Sequence, residues 1–426
     1  ARVKKMGKIN LKKCFFGYFI SFHLIIFFNC VSFQSLAVTE TNVSHLLHPK
    51  LSDPKVVDKL LPKVYIVPID DIYNIKCPNY KELPKWGIHD KDVTLHRWLK
   101  NHYHKTIDSA AEAQFFFVPA YTMICYPHYQ MEADKAAWKT LTQSVERAYH
   151  KNNETERIYL REHTFVMVSH PTSKPPPTER QPGALGIRYL RVDNYRSFNG
   201  RDSFTPYLSN VSEFLDPLIK RRSKLLFLPC NLAPASMDNA REFRPQAYKH
   251  MMNASNSLVF DSKMPRTVFD KSMKHSDFCL ILPGDTPGTA KVYKSIMSGC
   301  IPVYFVSFKE QLPFHKFLDW SKFAVIVLKE TVHSPEKMLS LTRYLQNLRK
   351  DTYRLMEMKR NLVSVVPLFD YDRYEWPSVY HLMLLELKLT SGCGDCGLKH
   401  MPLNEWRYVK AKKKINTIVK ETSNLW

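Results

Sequence analysis

Residues Cys279–Phe305 read CLILPGDTPGTAKVYKSIMSGCIPVYF. The apolar run Phe278–Leu282 reads as a buried strand that stops at Pro283-Gly284, where a short loop rich in Gly, Pro and Thr begins. Val292 and Ile296 then fall four apart on one helical face, with Tyr293 and Met297 beside them. Thr286 or Thr289 can cap this helix, and Gly299 suits the position just past its end, where left-handed backbone costs little. Ile301–Val306 is the next parallel strand, so the stretch is a strand–loop–helix–strand unit. The first turn of such a helix offers unpaired N–H groups and a positive dipole end, and a Gly-rich loop lets a phosphate approach them. Lys291 and Lys294 oppose that dipole unless an anion is present, and so point to a diphosphate. The pattern is neither a Walker loop nor GxGxxG. On local grounds an ordinary α/β turn with surface lysines explains it equally well.

Outward from this unit, strands and helices alternate, which indicates parallel α/β architecture. Upstream, KVYIVP (63–68), FFFVP (115–119) and TFVMVS (164–169) read as strands, with helices expected over 93–112 and near 131–151. Residues 170–200 contain Pro175-Pro176-Pro177 and read as a long loop. A second cycle starts with KLLFL (224–228), continues as mixed helix and loop over 239–253, and adds strands at 277–282, 301–306 and 323–327. Helices are expected over 335–361 and 376–390. The expected organisation is a cytoplasmic tail and anchor (1–38), a polar stem (39–62), a Rossmann-like acceptor-side domain (63–215), a Rossmann-like nucleotide-sugar domain (222–390) and a basic tail (391–426), with a cleft between the two domains.

The chain has 426 residues, of which 44% are hydrophobic, enough for two cores. Its formal net charge of +22 favours polyanions: nucleotide phosphates, acidic polysaccharide or a membrane surface. Part of that charge sits in ARVKKMGKINLKK and KAKKKINTIVK near the two ends. Nucleic acid is not an expected partner, because no zinc finger, RNP motif or basic heptad array accompanies the charge. Lys4, Lys5, Lys8, Lys12 and Lys13 precede the apolar stretch 14–38, which reads as a membrane anchor with its N-terminus in the cytoplasm; a cleaved signal peptide ending near Ser35-Leu36-Ala37 is the competing reading. Either places the body of the chain in the secretory pathway. Sequons at Asn42, Asn153, Asn210 and Asn253 agree with this. Of nine cysteines seven lie beyond the anchor, and some can pair in an oxidising lumen, with connectivity left open. Cys393-Gly-Asp-Cys396 is a single CxxC and reads as a local disulfide or free thiols rather than zinc.

In its ordered motifs the chain resembles the exostosin family of glycosyltransferases. LPGDTPGTAKVYKSIMSGCIPVYF (282–305) looks like that family's signature, and Leu312-Pro313-Phe314 with Leu318-Asp319-Trp320-Ser321-Lys322-Phe323 resembles its continuation. Lys63–Ile66, Thr106–Pro119 and Arg161-Glu162-His163 ahead of Phe165–Val168 resemble its upstream segments, so the resemblance covers roughly 60–330. It implies a GT-B fold of two Rossmann-like domains facing a cleft, a UDP-linked sugar donor and a glycan acceptor. It also implies a type II membrane protein of the Golgi or endoplasmic reticulum, inversion at the anomeric carbon, no bound metal and no cofactor beyond the donor substrate. Asp370-Tyr371-Asp372 and Asp70-Asp71 are accordingly expected to be a loop and a strand end rather than metal sites. Lys291 stands where the signature helix usually has Arg, Lys294 where an acid usually follows, and Cys230 where an Arg-Gly pair is frequent.

The resemblance assigns donor binding to Pro283, Gly284, Asp285, Thr286, Gly288, Thr289, Lys291 and Lys294, with Asp285 shaping the turn. A general base is also required. His170 leads the candidates, followed by His163, Glu162 and His128. The alternative, motivated by Lys294 and Cys230, is a lumenal glycan-binding or partner-stabilising pseudoenzyme. Assembly as a homo- or hetero-oligomer stays open.

Overall fold

The computed structural model describes residues 45–51, 53–67, 91–119, 163–168, 188–191, 203–206, 222–229, 238–252, 256–260, 264–282, 289–306, 312–328 and 335–390. All of them lie in one compact unit, Val43–Trp426. The expected anchor, the helix near 131–151 and the basic tail lie outside the described residues. Among the described residues no helix is long and apolar enough to cross a membrane.

Two parallel sheets organise the chain. The first runs in the order β2-β1-β3-β4-β5-β6, from β1 (Val64–Ile66), β2 (Thr106–Ile107), β3 (Phe115–Val118), β4 (Thr164–Val168), β5 (Arg188–Arg191) and β6 (Ser203–Phe204). The second runs β11-β10-β9-β7-β8, from β7 (Lys224–Pro229), β8 (Ser257–Phe260), β9 (Ser276–Ile281), β10 (Ile301–Val306) and β11 (Val325–Leu328). The helices among the described residues are α1 (Pro54–Leu60), α2 (Lys91–Asn101), α3 (Asp238–Met252), α4 (Arg266–His275), α5 (Ala290–Met297), α6 (Pro335–Lys350), α7 (Thr352–Val365) and α8 (Val379–Thr390). Every residue of β9 and of β10 is buried, as continuous apolar runs in a sheet covered on both faces require.

Several boundaries differ from those expected. The helix over 93–112 ends at Asn101, because Tyr103 turns the chain and donates its buried hydroxyl to the Pro62 carbonyl at 2.6 Å; β2 follows. The expected 335–361 helix is two helices. Asp351 caps α7 by accepting from the Arg354 N–H at 3.1 Å, which starts a new helix where the old one ends. Of the expected mixed helix and loop over 239–253, residues up to Met252 form a continuous helix from Asp238 despite Pro245, and the 170–200 stretch contains β5.

Both ends of the described chain cross between the sheets. Residues 45–51, expected in a stem, dock on the second half. Leu46, Leu47 and Leu51 are buried, Leu47 bridges Leu318 in antiparallel fashion, and the His48 N–H donates to the Phe317 carbonyl at 2.8 Å. His45 Nε2 lies 2.8 Å from Asn361 Oδ1 on α7, and Lys322 Nζ donates to the His45 carbonyl at 2.7 Å. Asp53 then caps α1, which leads into β1. In the other direction, α8 returns to the first half, where the Tyr380 ring stacks on Trp98 of α2 at 4.9 Å and 10°. Trp98 Nε1 donates to the Tyr374 carbonyl at 3.2 Å, and the Tyr371 hydroxyl donates to the Pro206 carbonyl just after β6 at 2.7 Å.

Glu386 lies buried on α8, with the Phe314 N–H and Lys316 close by. Burial pushes its carboxyl up to about 7, against the opposing pull of the Phe314 N–H and Lys316. A carboxyl with a raised folded-state pKa holds its proton more tightly folded than unfolded, so stability is expected to fall as pH rises from about 4.5 to 7. The loss from this group is roughly 3 kcal/mol. Urea melts at pH 5 and 8 on the parent and on Glu386→Gln should show a flatter pH response in the variant; identical profiles count against the assignment.

Candidate functional site

Numbered within the second sheet, the strand order is 2-1-3-4-5, with its reversal between β7 and β9. In open parallel sheets ligands bind outside the carboxyl ends of the strands at such a switch point. Here those ends are Pro229 of β7 and Ile281 of β9. Helix α5 starts beside them. Thr289 caps it, its side-chain oxygen accepting from the Lys291 N–H at 3.3 Å, so the second of the two expected capping candidates is the one used. The half-buried Lys291 reaches across the switch point and donates from Nζ to the Pro229 carbonyl at 3.2 Å. A cation and a helix start thus share the place where the topology opens a crevice. No acid lies in the first turn of α5 to neutralise them.

Lys294 lies one turn further along. Its ammonium sits 5.8 Å from the centre of the Phe269 ring on α4, a cation–π contact. The two lysines therefore part company: Lys291 faces the strand ends and Lys294 leans to the neighbouring helix. Pro283, Gly284, Asp285, Thr286 and Gly288 lie outside the described residues, as does Cys230.

The far end of α5 is held firmly. Gly299 has φ +63°, its N–H donates to the Ile296 carbonyl at 3.0 Å, and the Cys300 N–H donates to the Ser295 carbonyl at 2.9 Å. This is a Schellman closure with glycine in the left-handed position. A Cβ at Gly299 would also stand 2.7 Å from an Arg222 guanidinium nitrogen, which donates to the Ser298 carbonyl at 2.8 Å. Cys300 is disulfide-bonded to Cys279 of β9, and both are fully buried. Sequence reasoning left this pairing open. Its signal is that the two cysteines flank one crossover in neighbouring parallel strands, where register brings Cys279 opposite Pro302.

Beneath α5, at the amino end of β9, the buried Asp277 carboxylate gathers three cationic residues. Lys359 Nζ donates to Oδ1 at 2.5 Å, the Arg222 backbone N–H donates to the same oxygen at 2.9 Å, and Arg349 Nε lies 2.9 Å from Oδ2 without hydrogen-bond alignment. Burial lowers the Lys359 ammonium from its usual range, and Asp277 opposes that. Burial likewise lowers Arg222 to about 10, again against Asp277. This cluster lies at the opposite end of β9 from the switch point, and sequence gave no sign of it because its cationic members lie 55 to 82 residues from Asp277 along the chain.

In the first sheet His163 immediately precedes β4, at the amino edge, with its ring 5.5 Å from that of Phe115, the first residue of β3. Glu162, His170 and His128 lie outside the described residues. Asp370-Tyr371-Asp372 is a turn in which the Asp372 N–H donates to Asp370 Oδ1 at 2.9 Å and Tyr371 points into the body of the protein. Among the described residues no group of three or more His, Cys, Asp or Glu could hold a metal ion.

The Exostosin GT47 domain family matches residues 60–342. Probable arabinosyltransferase ARAD1 of Arabidopsis thaliana is 28% identical over 198 residues, covering 45% of this chain and 43% of that protein. Probable xyloglucan galactosyltransferase GT13 of the same plant is 30% identical over 100 residues, covering 23% of this chain and 20% of its own length. The Exostosin-1 homolog of Caenorhabditis elegans is 27% identical over 103 residues, covering 24% and 27%. The matched stretches thus span less than half the length of each relative. With the family match running from just before β1 to within α6, through the strand ends and the capped helix, the chain belongs to the exostosin GT47 family.

Proposed function

We propose that this protein is a glycosyltransferase that moves a sugar from a nucleotide diphosphate donor, UDP-linked, to a hydroxyl of a glycan acceptor. The observation that carries the reading is the Lys291 ammonium set against the Pro229 carbonyl at the β7/β9 switch point, beside the capped start of α5. Family membership and the arabinosyl- and galactosyltransferase names of its relatives support a pentose or hexose donor. Two parallel sheets with switch points of the same type support the GT-B arrangement, with the acceptor entering from the first half.

In the inverting reaction the acceptor hydroxyl gives its proton to a general base, its oxygen bonds to the anomeric carbon, and the bond from that carbon to the diphosphate oxygen breaks. The UDP leaving group takes the electron pair. Lys291 and the positive dipole end of α5 stabilise the charge that develops there. Strand direction favours His170 as the base. β4 runs from Thr164 to Val168, so His170 follows its carboxyl end, where ligands gather, while Glu162 and His163 precede its amino end. No metal is assigned a step.

The buried Cys279–Cys300 bridge supports an oxidising compartment, in line with a Golgi or endoplasmic reticulum protein anchored through residues 14–38. Lys294 over Phe269, in place of a carboxylate, motivates the second reading, a pseudoenzyme that binds glycan or a partner.

The test is turnover of UDP-glucose, UDP-galactose, UDP-xylose, UDP-arabinose, UDP-glucuronate and UDP-GlcNAc with mixed glycan acceptors, together with UDP calorimetry. Absence of transfer, hydrolysis and UDP binding overturns the enzyme reading. Lys291→Ala is expected to weaken UDP binding by about ten- to a hundredfold, and unchanged affinity removes it from the site. Strong gain of UDP binding in Lys294→Glu favours the pseudoenzyme.

A further inference from the structure

The helix that carries Lys291 is enclosed in a covalent ring. Cys279 sits within β9, Cys300 sits between Gly299 and β10, and their Cα atoms are 5.8 Å apart across a sequence separation of 21. The ring contains the end of β9, the whole of α5 and its glycine terminus. The bridge is not needed to keep the two strands paired. β9 and β10 are neighbours in the middle of the sheet, in register from Phe278↔Ile301 to Ile281↔Tyr304, and every residue of both is buried. What the bridge adds lies at Cys300, the joint between α5 and β10.

At that joint three restraints meet. The Cys300 N–H closes the helix on the Ser295 carbonyl, Gly299 holds the left-handed turn, and the Arg222 guanidinium packs over it while bonded to the Ser298, Met273 and Ser276 carbonyls. Helix α5 has only eight residues, so a slide or tilt at its glycine end passes almost undiminished to Lys291 at the other. A displacement of about 1 Å is enough to separate Lys291 Nζ from the Pro229 carbonyl, which it meets at 3.2 Å.

We propose that the Cys279–Cys300 disulfide is a positioning device for the nucleotide-diphosphate site: it locks the base of α5 to β9 so that Lys291 and the Thr289-capped helix start stay over the end of β7. This rests on the donor reading of that site. Cys279 and Cys300 are positioning residues, since neither reaches the crevice.

The test compares wild type, the double variant Cys279→Ala/Cys300→Ala and Val57→Ala, a destabilised control in α1 of the first half, each as the full chain. UDP affinity is read by calorimetry and local opening by amide hydrogen exchange, both well below each protein's melting temperature. The double variant is expected to bind UDP about tenfold more weakly and to exchange its Val292–Met297 amides about tenfold faster, with Leu95–Asn101 unchanged. Unchanged α5 exchange overturns the proposal, as does an equal loss of UDP affinity in Val57→Ala. Wild-type protein that binds no UDP overturns the donor reading and the site being positioned. Wild-type binding with full affinity in the double variant overturns the bridge alone. Should the double variant fail to fold, wild type reduced under native conditions and alkylated is read by the same two measurements, with the same outcomes deciding.

Discussion

Replacing Asp277 with alanine is expected to lower the free energy of unfolding by about 3–5 kcal/mol. The carboxylate is fully buried, and its neighbours Lys359 and Arg349 are nearly so, at 3% and 9% exposure. Removing it takes away the carboxylate that Lys359 and Arg349 share in the protein interior, which costs more than the pairing itself contributes. The loss should shrink in alkaline solution. Burial already lowers the Lys359 ammonium, and without Asp277 it falls further, so the unfolded chain binds more protons than the folded one over a window below 10.5. Stability then rises with pH across that window. Urea titrations at pH 7 and pH 9.5 check both parts. A loss under 1 kcal/mol, or one that grows with pH, contradicts the account. Asp277→Ala combined with Lys359→Met should recover part of the loss, since one of the buried charges goes with it.

Replacing Trp98 with alanine is expected to cost about 3–5 kcal/mol as well, through a different mechanism. The indole is 1% exposed and is sandwiched between Tyr103 at 4.8 Å and Tyr380 at 4.9 Å, with His381 edge-on at 5.0 Å. Burial keeps that imidazole neutral, with its pKa lowered to about 4, while its Nδ1 lies 2.7 Å from the Ser378 oxygen. Truncation opens a cavity between α2 and α8 and removes the bond to the Tyr374 carbonyl. Because this contact joins the last described helix to the first sheet, α8 amides should lose hydrogen-exchange protection ahead of the β9 and β10 amides. Unaltered protection of α8 in Trp98→Ala would show that other contacts hold it.

Much of the second half was readable because each buried parallel strand is a continuous apolar run and the αL glycine marks the end of α5. β9, β10, a threonine cap at Thr286 or Thr289 and Gly299 as a helix terminus all follow from local chemistry. β5 escaped notice because Arg188–Arg191 carries charge at both ends, and its pairing with β4 and β6 is what makes it a strand. The 335–361 periodicity hid a break, since an apolar face continues through Asp351 even though the backbone restarts there. At the site, residue types pointed to a diphosphate, but they could not show that Lys291 turns to Pro229 and Lys294 to Phe269. Those directions depend on what β7 and α4 place beside the helix, far away along the chain. The Cys279–Cys300 pair and the Asp277 cluster are long-range in the same sense.

The crossing of both chain ends has a consequence for modularity. Neither half is a contiguous length of polypeptide: the second owns residues 45–51, and the first owns α8. Recombination at the junction between β6 and β7 would exchange cassettes that each lack a piece lodged in the other. Such chimeras would expose the apolar seats of Leu46, Leu47 and Leu51 on one side and of Tyr371 and Tyr380 on the other. The two halves of this chain are therefore bound to diverge together, by point changes around fixed seams, rather than by shuffling.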